Sequence, residues 1–308
     1  MRICSFLPSA TEMLYALGLG EYIVGVTHEC DYPVDALNKP KVVKSVFDAS
    51  NMSSEEIDLR IRELVREHKD IYIVDTHLLK ELNPDVIVAQ GLCKVCSPYI
   101  SEISKARQIL EYKPKVVMLD PHDVDGILDS IIQLAEELDV KHKGIELVNN
   151  LRSRIEYIHA RALDAVKSNG RPKVLCIEWL KPFFTAGHWV PQMVDIAGGL
   201  NCISKRGEHS RSIEFKEVVD ADPDIIVFMP CGFDVPRALR EFKYVEGIDG
   251  WYDLRAVKSK QVYVVDANSY FSRPSHRVVR GIEILAKIIH PEVFSDVEVM
   301  EDECRKLY

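Results

Sequence analysis

KHKGIELVNNLRSRIEYIHARALDAVKS, residues 141–168, is the stretch on which the fold turns. Val148, Leu151, Ile155, Ile158, Ala162 and Ala165 recur at steps of three and four, which places them on one face of an α-helix. Arg152, Arg154, Glu156, Arg161, Asp164 and Lys167 charge the remaining faces. At about 1.5 Å per residue such a helix reaches roughly 40 Å. Gly170 and Pro172 end it. A helix of this length is either a crossover inside one domain or a strut between two, and the flanking sequence decides which.

On the N-terminal side, strands are expected at residues 2–6, 22–26, 71–74, 86–89 and 115–119. Helices are expected after Pro8 and at 53–69, 78–82, 99–110 and 124–138. Ser9 and Glu12 have the spacing of a capping box for the first helix. Strands alternating with helices predict a mainly parallel sheet covered on both faces. On the C-terminal side, strands are expected at 173–179, 225–228 and 261–265, with helices at 192–196, 237–243 and 275–289. Residues 181–191 read as a loop, and the tail after Pro291 as a short acidic helix. Asn83-Pro84-Asp85-Val86-Ile87-Val88 returns as Asp222-Pro223-Asp224-Ile225-Ile226-Val227, each time entering a strand. This internal echo favours two related lobes. The fold class is therefore α/β, with two Rossmann-like lobes and mainly parallel sheets joined by one long backbone helix. The lobes are residues 1–140 and 169–308, with 141–168 between them.

Composition narrows the function. A chain of 308 residues, 47% hydrophobic and 28% charged, can fill two cores. A net charge of −9 without Lys/Arg clusters gives nucleic acid no footing. No run approaches the ~18 apolar residues of a membrane span. The opening residues lack a secretory apolar segment, so the expected location is cytoplasmic as the sequence stands, and periplasmic if a leader has been removed. Eight scattered cysteines read as mostly free thiols.

In parallel sheets ligands sit beyond the C-terminal strand ends, and several chemistry-bearing groups fall there. Phe183, Phe184, His188, Trp189, Tyr270 and Phe271 either form an apolar wall for a large planar ligand or pack the lobe core. His28 and Cys30, with the C-x-x-C pair Cys93 and Cys96, supply up to four nitrogen and sulfur ligands for zinc, iron or another soft metal. The same thiols also read as inert, or as a redox pair. Asp75, His77, Asp120, His122 and Asp123 follow strands and read as caps and turn residues. No P-loop, G-x-S-x-G or H-E-x-x-H is present, so no catalytic residues are assigned.

Six blocks carry a resemblance: RICSFLPSATEMLYALG (2–18), YIVGVTHECDYP (22–33), LNPDVIVAQG (82–91), KPFFTAGHWVPQMVDIAGGLNCI (181–203), ADPDIIVF (221–228) and SYFSRPSHRVVRGIEIL (269–285). In this order they resemble the substrate-binding proteins of the cobalamin, haem and siderophore ABC importers, the cobalamin-binding branch most of all. The resemblance implies a non-enzymatic protein, a monomer of two lobes that clamps a cobalamin-like metal chelate (cobalamin or a related corrinoid, or a haem or siderophore chelate) between them with little hinge closure. It carries ligand contacts onto Pro8, Ser9, Tyr32, Phe184, Trp189, Tyr270 and Phe271. Gln90 stands where the family has an aromatic residue, and His28, Cys30, Cys93, Cys96 and His188 are alternative axial ligands to cobalt or iron. Trp189→Ala is then expected to weaken binding and leave the fold intact. The resemblance also implies an ABC permease partner, with Glu102 as a docking residue. The alternative function is a cytoplasmic, chelatase-like metal-handling enzyme built on the Cys/His group.

Overall fold

A computed structural model describes residues 1–91, 110 and 113–308. The chain divides into two compact units. The first takes Met1–Met52, Leu59–Pro121 and Asp125–Asn149, and the second takes Ser53–Asp58, His122–Val124 and Asn150–Tyr308.

The first unit contains β1 (Ile3–Ser5), α1 (Pro8–Ala16), β2 (Ile23–Thr27), β3 (Lys41–Ser45), β4 (Tyr72–Val74), α3 (Thr76–Leu82), β5 (Val86–Gln90) and β6 (Lys115–Leu119). It also takes most of α2 (Ser54–Arg66) and α4 (Val124–Glu137), and the start of α5 (Lys141–Asn169). The strand order is β4-β3-β2-β1-β5-β6. All pairs are parallel except β3 with β4. Every residue of β5 is buried, as a strand covered on both faces requires. Its alternate residues Ile87 and Ala89 join Cys4, Phe6, Val42, Val43, Leu64 and Tyr72 in one core cluster.

The second unit contains β7 (Lys173–Leu180), β8 (Phe183–Thr185), α6 (Val190–Ile196), β9 (Leu200–Asn201), β10 (Arg211–Ser212), α7 (Phe215–Ala221), β11 (Ile225–Phe228) and α8 (Val235–Glu246). It continues with α9 (Arg255–Lys258), β12 (Val262–Val265), α10 (Ala267–Tyr270), α11 (Val278–Ile289) and β13 (Cys304–Lys306). Its sheet runs β10-β8-β7-β11-β12-β13, with β9 also on β7. The centre is parallel, and the β8, β10 and β13 pairs are antiparallel.

The echoed strand entry is one device built twice. Asn83 and Asp222 end α3 and α7 in the left-handed region, with φ 44° and 46°. The next acid then locks the neighbouring strand from both sides. Asp85 Oδ2 accepts the Arg2 N–H at 2.7 Å and the Asp85 N–H donates to the Arg2 carbonyl at 2.8 Å. Asp224 repeats this with Lys173, at 2.8 Å and 2.9 Å. Each pair sets the register in which β1 meets β5, or β7 meets β11.

The helix α5 buries Val148, Leu151, Ile158, Ala162 and Ala165 and half-buries Ile155, the face expected from the spacing. Gly170, at φ 78°, follows its end. Three expectations are corrected. Pro8 occupies the first helical position of α1 and Leu7 caps it, so Ser9 and Glu12 lie inside the helix and form no capping box. A reciprocal pair of this kind stands instead at Ser53 and Glu56: the Ser53 N–H donates to Glu56 Oε2 at 2.8 Å and the Glu56 N–H to Ser53 Oγ at 3.3 Å. Residues 181–191 are not all loop, because β8 folds back on β7.

The third correction concerns the tail, which ends as the edge strand β13 rather than a helix. Arg280 holds it: Nε donates to Glu303 Oε1 at 2.8 Å and a terminal nitrogen to Glu303 Oε2 at 2.6 Å, while the other reaches Glu283. The hydrogen bonds from Arg280 hold the Glu303 carboxyl below its usual range. A carboxyl depressed on folding contributes stability that is present above its unfolded pKa, about 4.3, and lost as pH falls through the folded value. Limited proteolysis should therefore release the C-terminal segment increasingly as the pH drops below the ordinary carboxylate range. In Glu303→Gln the segment should be cleavable at neutral pH, with that acid dependence gone.

Candidate functional site

The candidate residues of the first unit sit at strand ends. β1 runs into the first turn of α1, where Pro8 is half-buried and Ser9 is buried. β2 ends at Thr27, and the following loop leaves His28 and Tyr32 exposed. Gln90, the last residue of β5, is buried.

Cys30, by contrast, is 1% exposed, and its Sγ lies 3.1 Å from Thr11 Oγ1 and 3.3 Å from Thr27 Oγ1. Thr11 Oγ1 in turn donates to Ser5 Oγ at 2.9 Å. The thiol thus belongs to a hydroxyl network that ties α1 to β1 and β2. Cys93, Cys96 and Glu102 lie outside the described residues. Among the described residues, no three His, Cys, Asp or Glu side chains converge as a metal cage. The caps expected of the strand-end acids are present at Asp75, whose carboxylate accepts the Leu78 N–H at the start of α3.

In the second unit the aromatic residues divide by burial. Trp189 is 5% exposed and donates its Nε1–H to the Phe271 carbonyl at 2.8 Å, and Phe271 is itself 3% exposed. Both pack the unit, so truncating Trp189 removes core contacts as well as surface. Trp189→Ala is therefore expected to lose stability as well as affinity. Phe184, His188 and Tyr270 are half-buried and present open aromatic surface. The Arg277 guanidinium lies 4.9 Å from the centre of the Tyr270 ring, and burial pushes the Tyr270 phenol up, so it keeps its proton.

His188 is held more tightly than its exposure implies. It adopts φ 53°, its N–H donates to the Glu208 carbonyl at 2.6 Å, and its own carbonyl accepts the Gly207 N–H at 2.9 Å. Its Nε2 lies 3.1 Å from His209 Nδ1. The sequence reading did not assign His209, because nothing in the spacing pairs it with residue 188.

Two α/β units with half-buried aromatic residues left open on the second are the frame of the site. The chain belongs to the periplasmic binding protein family, whose model matches residues 3–269. It is 25% identical over 298 residues to the uncharacterized ABC transporter substrate-binding lipoprotein YvrC of Bacillus subtilis, covering 96% of this chain and 82% of that one. It is 24% identical over 286 residues to the vitamin B12-binding protein of Vibrio cholerae, covering 92% and 86%. Among solved structures, a periplasmic heme-binding protein of Pseudomonas aeruginosa superposes with a TM-score of 0.73 at 16% identity, over 94% of this chain and 93% of that one. The family is one of substrate-binding proteins, and the chelatase-like alternative is set aside.

Proposed function

We propose that this chain is the substrate-binding component of an ABC importer and carries a metal chelate of the corrinoid or haem type. The observation that carries this is the aromatic surface that Phe184 in β8, His188 in the loop after it and Tyr270 at the end of α10 each leave open. A flat macrocycle buries a large apolar area on such surfaces, and aromatic side chains supply that area at low entropic cost. Relatives named for vitamin B12 and heme support the same ligand class. Pro8, Ser9, Tyr32 and Gln90 are proposed as the first unit's contacts, with Trp189 and Phe271 backing the second unit's surface. A permease partner follows from the role, with Glu102 as its proposed docking residue, and the role places the protein outside the cytoplasm. Zinc or iron at His28, Cys30, Cys93 and Cys96 is left out of the proposal, since the Cys30 thiol faces two threonine hydroxyls.

Absorption titration with cobalamin and with hemin tests it. One equivalent of either should shift the visible spectrum, with no turnover. Phe184→Ala and Tyr270→Ala should each weaken binding about tenfold, which corresponds to about 1.4 kcal/mol. A flat spectrum at saturating concentrations of both chelates sinks the proposal.

A further inference from the structure

His188, whose ring face belongs to the surface proposed for the chelate, also turns its Nε2 edge to His209 Nδ1. We propose that His188 and His209 bind a bare divalent transition-metal ion of the imidazole-preferring class, copper(II), nickel(II) or zinc, as a two-imidazole site, with the His122 ring beside His209 but outside the pair as the structure stands. Two imidazole nitrogens each about 2.0–2.1 Å from one ion stand about 2.9 Å apart at the cis angle of a square-planar centre and about 3.3 Å apart at a tetrahedral one. His188 Nε2 and His209 Nδ1 already stand at 3.1 Å, with ring centroids 5.0 Å apart and planes at 85°. The His122 ring lies 6.1 Å from that of His209, edge-on. It needs a side-chain rotation to reach an ion held by the other two.

The pair is fixed before any ion arrives. Two crossing backbone hydrogen bonds join His188 to Glu208 and Gly207. His188 itself is held in the left-handed region, at φ 53°, a conformation that His tolerates better than most residues. The short segment carrying His122 is tied to the same unit, since Arg206 donates twice to Asp123 Oδ2, at 2.8 Å and 2.7 Å, and the Val124 N–H donates to Gln192 Oε1 at 2.8 Å. His122 and His209 are exposed, so an ion has access.

The proton inventory also closes. In the neutral pair one facing nitrogen carries a hydrogen and the other accepts it. On binding, both facing nitrogens present lone pairs, and the hydrogens sit on His188 Nδ1 and His209 Nε2. Water completes the coordination, which makes this an exchangeable site rather than a structural one.

The inference does not depend on the chelate proposal, and its test uses the metal alone. Full-length protein with its accessible thiols alkylated is titrated with copper(II) chloride. The Trp189 ring lies 5.6 Å from His188, so occupancy should quench tryptophan fluorescence, with one equivalent bound and an EPR spectrum showing at least two nitrogen ligands. Losing even an outer partner of a metal ligand costs about 10–100-fold in affinity, so His188→Gln and His209→Gln should each lose at least that, and His122→Gln less. Unchanged stoichiometry and affinity in both His188→Gln and His209→Gln overturns the site. So does copper binding that is absent from the parent protein while His209→Gln abolishes the hemin spectral shift, because the metal centre would then be the chelate's own.

Discussion

Trp251→Ala is expected to lower the unfolding free energy of the second unit by about 3–5 kcal/mol, the range for truncating a fully buried aromatic residue. Trp251 is 0% exposed. Its ring centroid lies 5.9 Å from both Phe228 and Phe242, which are 5.2 Å from each other, all at tilted or edge-on angles. Offset pairs of this kind add about 0.5–1.5 kcal/mol beyond the area they bury. The indole Nε1–H donates to the Tyr308 hydroxyl at 3.1 Å, and that hydroxyl donates to Glu246 at 3.4 Å. Truncation thus opens a cavity between β11 and α8 and releases the chain terminus together. Denaturant unfolding followed by circular dichroism should show a lower midpoint with an unchanged slope. Trp251→Phe should recover most of the loss, because it restores ring packing and gives up only the N–H. If the alanine variant costs less than about 1 kcal/mol, this cluster is not the centre of the unit's stability.

What the sequence disclosed follows from which interactions are local. The face of α5 was legible because a period of 3.6 needs no partner to be recognised. The twin Asn83-Pro84-Asp85 and Asp222-Pro223-Asp224 entries were legible as a repeat, though not as strand locks, because the Arg2 and Lys173 amides they hold are far away in sequence. β3 was missed: Val42 and Val43 are its only buried residues, and Lys41 and Lys44 flank them. β8 was hidden by Pro182, which reads as a loop signal before a three-residue edge strand. Ser9 and Glu12 had the spacing of a cap but the wrong phase, since Pro8 had already started the helix. At the site, residue types pointed to the 183–189 loop. Only the fold could separate buried Trp189 and Phe271 from open Phe184 and Tyr270, or bring His209 to His188.

Gly187 is where fold and site meet, and Gly187→Ala is expected to disturb both. A Cβ there would lie 2.5 Å from the Ser210 nitrogen, 2.6 Å from the Glu208 oxygen and 2.8 Å from the His209 carbonyl carbon. These are backbone atoms and cannot turn aside as a side-chain tip would. Overpacking costs about 1–3 kcal/mol, and this case belongs at the upper end. Relief requires the 208–210 segment to move away, which breaks the hydrogen bonds joining His188 to Glu208 and Gly207 and separates the two imidazoles. Copper(II) binding should therefore fall by at least as much as in His209→Gln, although no imidazole has been removed. Gly207→Ala is the control: its φ of 77° strains an alanine by about 1–2 kcal/mol, but a Cβ there meets nothing within 4 Å. It should lose stability and keep most of its copper affinity. If the two alanine variants lose copper equally, local destabilisation rather than the close packing at Gly187 governs the histidine pair.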